Sequence, residues 1–300
     1  MTHLFIINPA AGSRDRQEQY KKEIHRVCKP RGLQYEIRVS QAPGQCREFA
    51  AQAARSGKPV RIYACGGDGT LNEIVCGVAG FPNVAVTTYA GGSGNDFIRM
   101  FSQPEAFRDL EKLLDCQESQ FNLIRCNQDY ALNICSVGLD ARIAADVAGY
   151  KRFPMFSGFR AYLVSALINT IKGIWQPYTA SFEGETVQKD FTLICACNGR
   201  FYGGGFNPVP EADPQDGILD ILLVDKVSRL TVLGLIGAYK KGKYASLPQK
   251  IRHIRTNHLH IHSDHPTALN MDGEIRHIQD VDISIAPEKL RFFYPKGLTY

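Results

Sequence analysis

The chain of 300 residues lacks the features that mark secreted, disulfide-bonded or membrane-spanning proteins. It contains no Cys-x-x-Cys pair, and its nine cysteines are scattered, several of them inside apolar runs, which favours buried free thiols in a reducing compartment. The N-terminus leads into an apolar run at residues 4–7 without a basic and then apolar signal segment. The longest apolar stretches, residues 162–171 and 230–239, are too short to cross a bilayer. We therefore expect a cytoplasmic protein that is at most peripheral to a membrane.

A strong excess of charge of one sign is also missing. The net charge of +5 is mild and no basic block stands out, so the composition does not predict a nucleic-acid partner, although it suits an anionic ligand or an anionic membrane face. No internal repeat or low-complexity tract is present. With 44% hydrophobic residues the chain can form a packed core, and its length predicts about two domains.

The most informative stretch is a glycine-rich segment, CGGDGTLNE, at residues 65–73. An apolar run at residues 60–64 precedes it and predicts a buried strand, whereas apolar residues at helical spacing follow it up to residue 78. The glycines therefore lie at a strand-to-helix turn, where the free N–H groups of the helix offer a seat for phosphate. Asp68 would repel a phosphate unless a divalent cation lies between them. The alternative is a plain turn in which Asp68 or Thr70 caps the helix.

Strands and helices alternate through the first part of the chain. The apolar runs that predict strands are residues 4–7, 33–39, 60–64 and 84–89. The first helix between them has Tyr20, Ile24 and Val27 on its inner face, and the alternation predicts a parallel sheet with helices on both faces. Loops of small residues follow three of these strands, at residues 8–12, 66–70 and 91–96. Because ligands bind beyond the carboxyl ends of the strands in such sheets, the three loops strengthen the phosphate interpretation.

The pattern changes after about residue 121. A hairpin is expected over residues 123–137, turning at 127–129, and a helical patch follows over residues 141–171. Further strands are expected at residues 179–182, 187–197, 218–224, 258–262, 281–285 and 290–294. Such strand-rich sequence with closely spaced turns predicts an antiparallel sandwich. We therefore predict an N-terminal α/β domain with a parallel sheet at residues 1–123, joined by about 290–300, and a C-terminal β-sandwich-like domain with helices at residues 124–289.

Two more motifs lie in the second half, NGRFYGGG at residues 198–205 and MDGE at residues 271–274. Together with the three glycine loops and an acidic turn at residues 213–218, they occur in the order found in a known family. The chain resembles the bacterial lipid kinases of the diacylglycerol kinase catalytic family, which are similar in fold to sphingosine kinases and, more remotely, to NAD kinases. The GGDGT segment alone is common to the wider superfamily, whereas its combination with YGGG and DGE is more specific.

The resemblance implies an ATP-dependent lipid kinase that acts in phospholipid biosynthesis, phosphorylates a hydroxyl of diacylglycerol or a related lipid, and works in a cleft between its domains. It implies ATP and Mg²⁺ as cofactors, and a lipid substrate presented at a membrane surface. The positions that match the nucleotide-contacting residues of the family are Asn8, Pro9, Ala10, Ala11, Gly12, Ser40, Gly66, Gly67, Asp68, Gly69, Thr70, Leu71, Asn72 and Ser93. Threonine is usual where Ser40 and Ser93 stand here, and either hydroxyl can bond a phosphate.

Catalytic and metal positions follow from the same resemblance. Glu274 matches the general base, which accepts the proton of the lipid hydroxyl, and Asp68 is the first candidate to hold the catalytic Mg²⁺, with Asp96 second. A structural Mg²⁺ site matches the Asp213 carbonyl, the Asp216 carboxylate and the Ile218 carbonyl. The alternative for that segment is an ordinary Asp-Gly hairpin turn.

Several interpretations stay open beside the lipid kinase. The same motifs leave room for an NAD kinase or for a non-catalytic nucleotide-binding regulator. His258, His260 and His262 share one face of a strand, which favours a solvated polar face over a zinc site. The phenylalanines of residues 153–159 and the basic run at residues 240–243 could together contact a membrane. In the alternative, the phenylalanines belong to the core and the lysines to a solvated helix end. The oligomeric state is left open, with a homodimer as one option.

Overall fold

The fold comes from a computed structural model, which describes residues 1–11, 14–91, 95–150 and 173–300. For residues 14, 15, 147–150 and 233 it describes the backbone alone. The chain forms two compact units. Unit 1 comprises Met1–Leu123, Phe201–Gly205 and Ala286–Tyr300, and unit 2 comprises Ile124–Arg200 and Phe206–Ile285. The first crossing lies at the predicted position near residue 123, whereas the short segment Phe201–Gly205 was not expected in the first unit.

Unit 1 is built from strands and helices that alternate along the chain. Its elements are β1 (Thr2–Ile7), α1 (Arg14–Cys28), β2 (Tyr35–Val39), α2 (Gln45–Arg55), β3 (Val60–Gly66), α3 (Asp68–Val78), β4 (Val84–Ala90) and α4 (Leu110–Leu114). Strand β1 pairs in parallel with both β2 and β3, and β3 pairs in parallel with β4. The predicted inner face of α1 is confirmed, because Tyr20, Ile24 and Val27 are all buried. These pairings bring the carboxyl ends of β1, β3 and β4 to the same edge of the sheet.

The last residues of the chain complete unit 1. Phe292 pairs in parallel with Val86 of β4, and both Phe292 and Phe293 are fully buried. Phe292 also belongs to a cluster of aromatic rings in the core of unit 1. The other rings of this cluster are Phe97, Phe101, Phe107, Phe121, Tyr294 and Tyr300.

Unit 2 is dominated by antiparallel strand pairs. The strands that lie in it wholly or in part are β5 (Cys116–Cys126), β6 (Asp129–Ala131), β7 (Ile134–Gly138), β8 (Gln176–Phe182), β9 (Glu185–Cys197), β10 (Leu219–Asp225), β11 (Ile251–Thr256), β12 (His258–Met271) and β13 (Glu274–Pro295). Two helices accompany them, α5 (Leu139–Tyr150) and α6 (Arg229–Lys240). Strand β9 pairs with β7, β8 and β10, and β12 pairs with β7, β8 and β13. Inward-facing apolar residues of these strands form one core cluster.

Three differences separate unit 2 from the strands expected from sequence. The strands predicted at residues 281–285 and 290–294 are parts of the single strand β13. Strand β11 was not predicted. The strand expected over residues 130–137 is divided into β6 and β7, because the N–H groups of Leu132 and Asn133 bond to the carboxylate of Asp272 instead of to a neighbouring strand.

Some predictions lie partly or wholly outside the described residues. Only the first part of the helical patch predicted at 141–171 is covered, by α5, and the aromatic patch at residues 153–159 lies outside the described ranges. All nine cysteines are free and seven of them are buried, which confirms the expectation of buried free thiols. Among the described helices, none combines the length and the apolar character needed to cross a bilayer.

Candidate functional site in two parts

The glycine-rich turn of unit 1 lies between the end of β3 and the start of α3. Gly67 precedes the helix in an extended conformation and makes no side-chain cap bond, so neither Asp68 nor Thr70 acts as the N-cap. A Cβ atom on Gly66 would lie 2.3 Å from the Thr70 hydroxyl, which is itself buried. The turn therefore requires glycine at position 66, and the first-turn N–H groups of α3 have no capping side chain from the preceding residue.

The loop after β1 packs against this turn. The Asn8 side chain donates from Nδ2 to Thr70 Oγ1 over 3.1 Å, and its Oδ1 accepts from the Ala10 N–H over 3.0 Å. The Asn8 N–H bonds to the carbonyl of Cys65 over 3.1 Å. Pro9 and Ala10 are exposed beyond these bonds. The structure thus brings the first two predicted phosphate loops together, through hydrogen bonds that the motif match did not specify.

The third loop begins beside the other two. The Gly91 N–H donates to the carbonyl of Gly66 over 2.9 Å. A Cβ on Gly91 would lie within 1.8 Å of the Tyr20 hydroxyl, which donates to the Tyr89 carbonyl over 3.0 Å, so this position also requires glycine. Two of the predicted nucleotide-contacting residues, Gly12 and Ser93, lie outside the described residues.

The other predicted nucleotide-contacting residues differ in how they are placed. Ser40 is buried, and both its N–H and its hydroxyl bond to the Ile7 carbonyl at the end of β1. Leu71 and Asn72 are buried on α3, whereas Gly67, Asp68 and Gly69 are partly exposed. The part of this set that faces solvent is therefore the turn itself, and its assignment to a nucleotide stays a prediction.

Asp68 and Asp96 lie together in unit 1 and differ in their partners. The Asp96 N–H donates to Asp68 Oδ1 over 2.6 Å. One oxygen of the Asp96 carboxylate accepts from the Gly204 N–H over 2.7 Å, and the other lies 2.9 Å from Arg99 Nε. Burial raises the pKa of the Asp96 carboxyl, and the bonds from Gly204 and Arg99 oppose that shift. Asp96 thus holds the segment Phe201–Gly205 to unit 1.

These contacts test whether the turn suits a magnesium–nucleotide complex. One oxygen of Asp96 accepts a hydrogen bond and the other forms an ion pair with Arg99, whereas Asp68 is half-exposed at the turn. Gly66 admits the Thr70 side chain against the turn, and the N-cap residue Gly67 brings no capping side chain to the first N–H groups of α3, a helix start that suits a phosphate. A carboxylate next to a phosphate seat is the ligand type that Mg²⁺ prefers. The residues therefore fit such a complex, with Asp68 a better ligand than Asp96.

The predicted general base lies on a hairpin of unit 2. Strands β12 and β13 are joined by the two-residue turn Asp272-Gly273, and Met271 pairs with Glu274 across it. Both turn residues have positive φ angles, +51° and +95°, as a tight two-residue hairpin requires. Glu274 is half-buried and is the first residue of β13.

The acidic turn expected to hold a structural Mg²⁺ already carries other partners. The Asp216 carboxylate accepts from the Ile218 N–H over 2.9 Å and pairs with the Arg255 guanidinium. The Asp213 carboxylate accepts from the Gln215 N–H over 3.0 Å, and the Asp213 carbonyl accepts from the Asp216 N–H over 3.3 Å. Arg255 therefore supplies positive charge at the one carboxylate of this set, and the assignment of a structural Mg²⁺ to this turn stays a prediction.

The histidines at alternate positions of β12, His258, His260 and His262, lie on one face, beside acidic residues of β13. His260 Nδ1 lies 3.0 Å from Asp282, and His262 Nδ1 lies 2.8 Å from Asp280. The hydrogen bond to Asp280 raises the pKa of His262. Among the described residues, no group of three or more His, Cys, Asp or Glu side chains is arranged to hold a metal ion. The histidines therefore pair with carboxylates on a solvated face.

Comparison with known proteins places this fold in a class of kinases. Residues 2–126 match the family model of the diacylglycerol kinase catalytic domain, and residues 133–294 match that of the YegS C-terminal NAD kinase beta sandwich-like domain. Together these matches confirm the predicted two-domain architecture. The chain belongs to the family of diacylglycerol kinase-like proteins that combine these two domains.

Individual relatives agree with this assignment. The chain is 25% identical over 274 residues to a Staphylococcus epidermidis protein named "Putative lipid kinase". This match covers 90% of the present chain and 88% of the relative. A second relative, "Putative lipid kinase SAR0780" from Staphylococcus aureus strain MRSA252, is 25% identical over 267 residues. The match covers 88% of this chain and 87% of the relative. The crystal structure of a diacylglycerol kinase from Bacillus anthracis str. Sterne superposes with a TM-score of 0.70 at 18% identity, covering 98% and 97%. This last likeness supports the fold.

Proposed function

We propose that the protein is an ATP-dependent lipid kinase that transfers the γ-phosphate to a hydroxyl of diacylglycerol or a related lipid. The observation that carries the proposal is the glycine turn of unit 1, where α3 begins after Gly67, which offers no capping side chain, and Asp68 stands in the first turn of the helix. Membership in the kinase family and the relatives named as lipid kinases support the same activity. The lipid acceptor and the dependence on ATP and Mg²⁺ are part of the proposal.

The chemistry divides between the two units. In unit 1 the N–H groups at the start of α3 would bind the phosphates, and Asp68 would hold the divalent cation. Bound Mg²⁺ would neutralise charge on the phosphates. In unit 2 Glu274 accepts the proton of the lipid hydroxyl while that oxygen bonds to the γ-phosphorus and the bond from phosphorus to ADP breaks. Phosphoryl transfer needs little covalent assistance from the protein. Binding of the phosphates with their cation, and acceptance of the hydroxyl proton, are therefore sufficient.

The acceptor is a membrane lipid, so the protein should meet it at a bilayer surface. Lys240, Lys241 and Lys243 are exposed at the end of α6, where they would be attracted to anionic headgroups. A homodimer is compatible with this proposal. Sedimentation with vesicles that contain or lack anionic lipid measures binding to the membrane surface. Light scattering in solution measures the oligomeric state.

The activity is tested by incubating the protein with labelled ATP, Mg²⁺ and either diacylglycerol micelles or NAD. We expect the label in a phospholipid product that extracts into organic solvent. Label transferred to NAD alone would support an NAD kinase instead. Calorimetric binding of ATP without turnover on a panel of lipid classes would support a non-catalytic regulator and overturn the proposal.

The base is tested with Glu274→Gln, which keeps the shape of the side chain but removes its basicity. We expect kcat to fall by about 10²- to 10⁴-fold, the usual contribution of a general base, with the affinity for ATP unchanged. Asp280→Asn is the matched control, because it neutralises an exposed carboxylate on the same strand. A Glu274→Gln protein that works at the rate of the wild type would show that another residue takes the proton.

A further inference from the structure

The Asp272 side chain makes unusually many main-chain contacts for a residue in a hairpin turn. Its carboxylate accepts hydrogen bonds from three consecutive N–H groups, those of Leu132, Asn133 and Ile134, at 2.5, 3.0 and 2.9 Å. The Asp272 N–H returns a bond to the Ile134 carbonyl over 3.2 Å. A plain Asp-Gly turn needs none of these four bonds, because the glycine and the positive φ angles already close it.

The three N–H groups belong to the connection between β6 and β7 and to Ile134, the first residue of β7, and together they converge on one carboxylate as in an anion-binding site. An ionised acceptor makes such bonds shorter and stronger than a neutral one does. The loop is well enclosed, since Leu132 and Asn133 are only 2% and 5% exposed. The negative charge of Asp272 is therefore used to fasten the hairpin to a buried loop of unit 2.

The opposite side of the same loop holds a second motif. The N–H groups of Asn198 and Gly199 both bond to the Asn133 carbonyl, at 2.8 and 2.9 Å, and Asn198 Nδ2 donates to the Leu132 carbonyl over 2.7 Å. A Cβ on Gly199 would lie 2.2 Å from Asn133 Oδ1, so glycine is needed for this approach. The loop Leu132–Ile134 thus uses its N–H groups for the MDGE hairpin and its carbonyls for the start of the NGRFYGGG segment.

We propose that Asp272 is a positioning residue for Glu274, which is two residues further along the same turn. By gathering the N–H groups of the loop, Asp272 fixes the direction in which the first residue of β13 leaves the hairpin, and through the loop it links this direction to Asn198 and Gly199. The inference rests on the proposed function, because it assumes that Glu274 is the base. A general base must be held to a fraction of an ångström, which a short exposed turn alone does not ensure.

The test is Asp272→Asn, which keeps the size of the side chain but replaces one acceptor oxygen by an NH₂ group, so at least one of the three N–H groups loses its acceptor. We expect kcat to fall by about 100-fold, the cost of a displacement of about 1 Å, while KM for ATP changes by less than about twofold because unit 1 is untouched. Asp280→Asn on the same strand should leave both constants unchanged. A role limited to holding the fold would lower the folded fraction, and therefore the apparent kcat, in proportion to the loss of secondary structure measured by circular dichroism.

Hydrogen exchange followed by mass spectrometry supplies a readout that needs no activity. Peptides covering residues 131–135 and 271–276 should exchange faster in Asp272→Asn, and peptides of β3 and α3 should not. If Asp272→Asn does not fold, Gly199→Ala decides, because it disturbs the same loop from its other side and should give the same separation of kcat from KM. An active wild type whose variants keep full kcat would overturn the proposal, and an inactive wild type with the expected exchange pattern would instead overturn the proposed function.

Discussion

His3 illustrates how a single residue couples the fold of unit 1 to pH. It is buried on β1, where its Nδ1 lies 2.8 Å from the Tyr63 hydroxyl. Burial, together with the positive charges of Arg61 and the N-terminus, lowers the pKa of His3 from 6.5 to about 4. Between these two values the unfolded chain binds a proton that the folded chain excludes.

We expect this histidine to make the protein less stable as the pH falls. Its contribution is complete above the unfolded pKa of 6.5 and is lost progressively down to about 4, a change of at most about 3 kcal/mol. Urea unfolding of the wild type and of His3→Gln at several pH values between 7.5 and 4.5 measures it. The difference between the two proteins should shrink on acidification, and parallel curves would show that His3 is not responsible.

At the residue scale, the sequence indicated which residues are important better than it indicated which atoms they contact. Gly66 and Asn8 could be selected from the motifs. In the structure Asn8 donates a hydrogen bond to Thr70, and the absence of a Cβ on Gly66 makes room for the Thr70 side chain. The partners of Asp272 and Asp96 could not be selected, because they are main-chain N–H groups distant in the sequence, and every non-proline residue carries one. The assignments of Asp68 and Glu274 to catalysis depend on the family resemblance and stay predictions.

At the scale of elements, two helical glycines, one in the last turn of α3 and one within α6, have opposite surroundings. Gly77 of α3 lies against α2, where an added Cβ would be 2.5 Å from the Arg47 carbonyl oxygen. For Gly234 of α6, no atom of the described side chains and main chain lies within 4 Å of the position of an added Cβ. Intrinsic helix propensity favours alanine over glycine by about 1 kcal/mol at both sites. Packing therefore decides whether the substitution helps.

We expect Gly234→Ala to raise the free energy of unfolding by up to about 1 kcal/mol and Gly77→Ala to lower it. The reason for the loss is that the contact at Gly77 is with main chain, which cannot rotate away. Thermal and urea unfolding of both variants beside the wild type provide the measurement. Stabilisation by both substitutions would show that α2 and α3 can separate without cost.

Periodicity identified most elements but not their lengths. The apolar runs of β1, β3 and β4 and the inner face of α1 were readable because each element is buried in a regular pattern. Strand β13 was read as two shorter strands, since its polar residues between two apolar runs looked like a connection. The division between β6 and β7 could not be predicted from the local sequence, because it depends on hydrogen bonds to Asp272, which lies about 140 residues further along the chain.

At the scale of the whole molecule, unit 1 depends on the far end of the chain. Residues Ala286–Tyr300 contribute the strand beside β4 and the buried rings of Phe292 and Phe293. Each such ring stabilises a fold by about 1.5–3 kcal/mol when it is buried. This is a large share of the roughly 5–15 kcal/mol that holds a domain together.

A fragment of residues 1–123 should therefore be much less stable than unit 1 in the full chain. We expect it to lose cooperative urea unfolding and to bind hydrophobic dyes, and we expect a fragment joined by a flexible linker to residues 286–300 to recover most of the cooperativity. Circular dichroism and dye fluorescence distinguish the two fragments. Full cooperative stability of residues 1–123 alone would mean that the final strand is dispensable.

The pairing of β13 with β4 also bears on how the chain emerges from the ribosome. Translation at about 5–20 residues per second leaves an interval of about 8–34 s between residue 123 and Phe292. During that interval the nascent chain displays β4 with one unpaired edge, and such an edge can associate with other chains. The β4 edge therefore stays unpaired until the residues around Phe292 have been synthesised, which exposes it to chaperones that bind nascent chains.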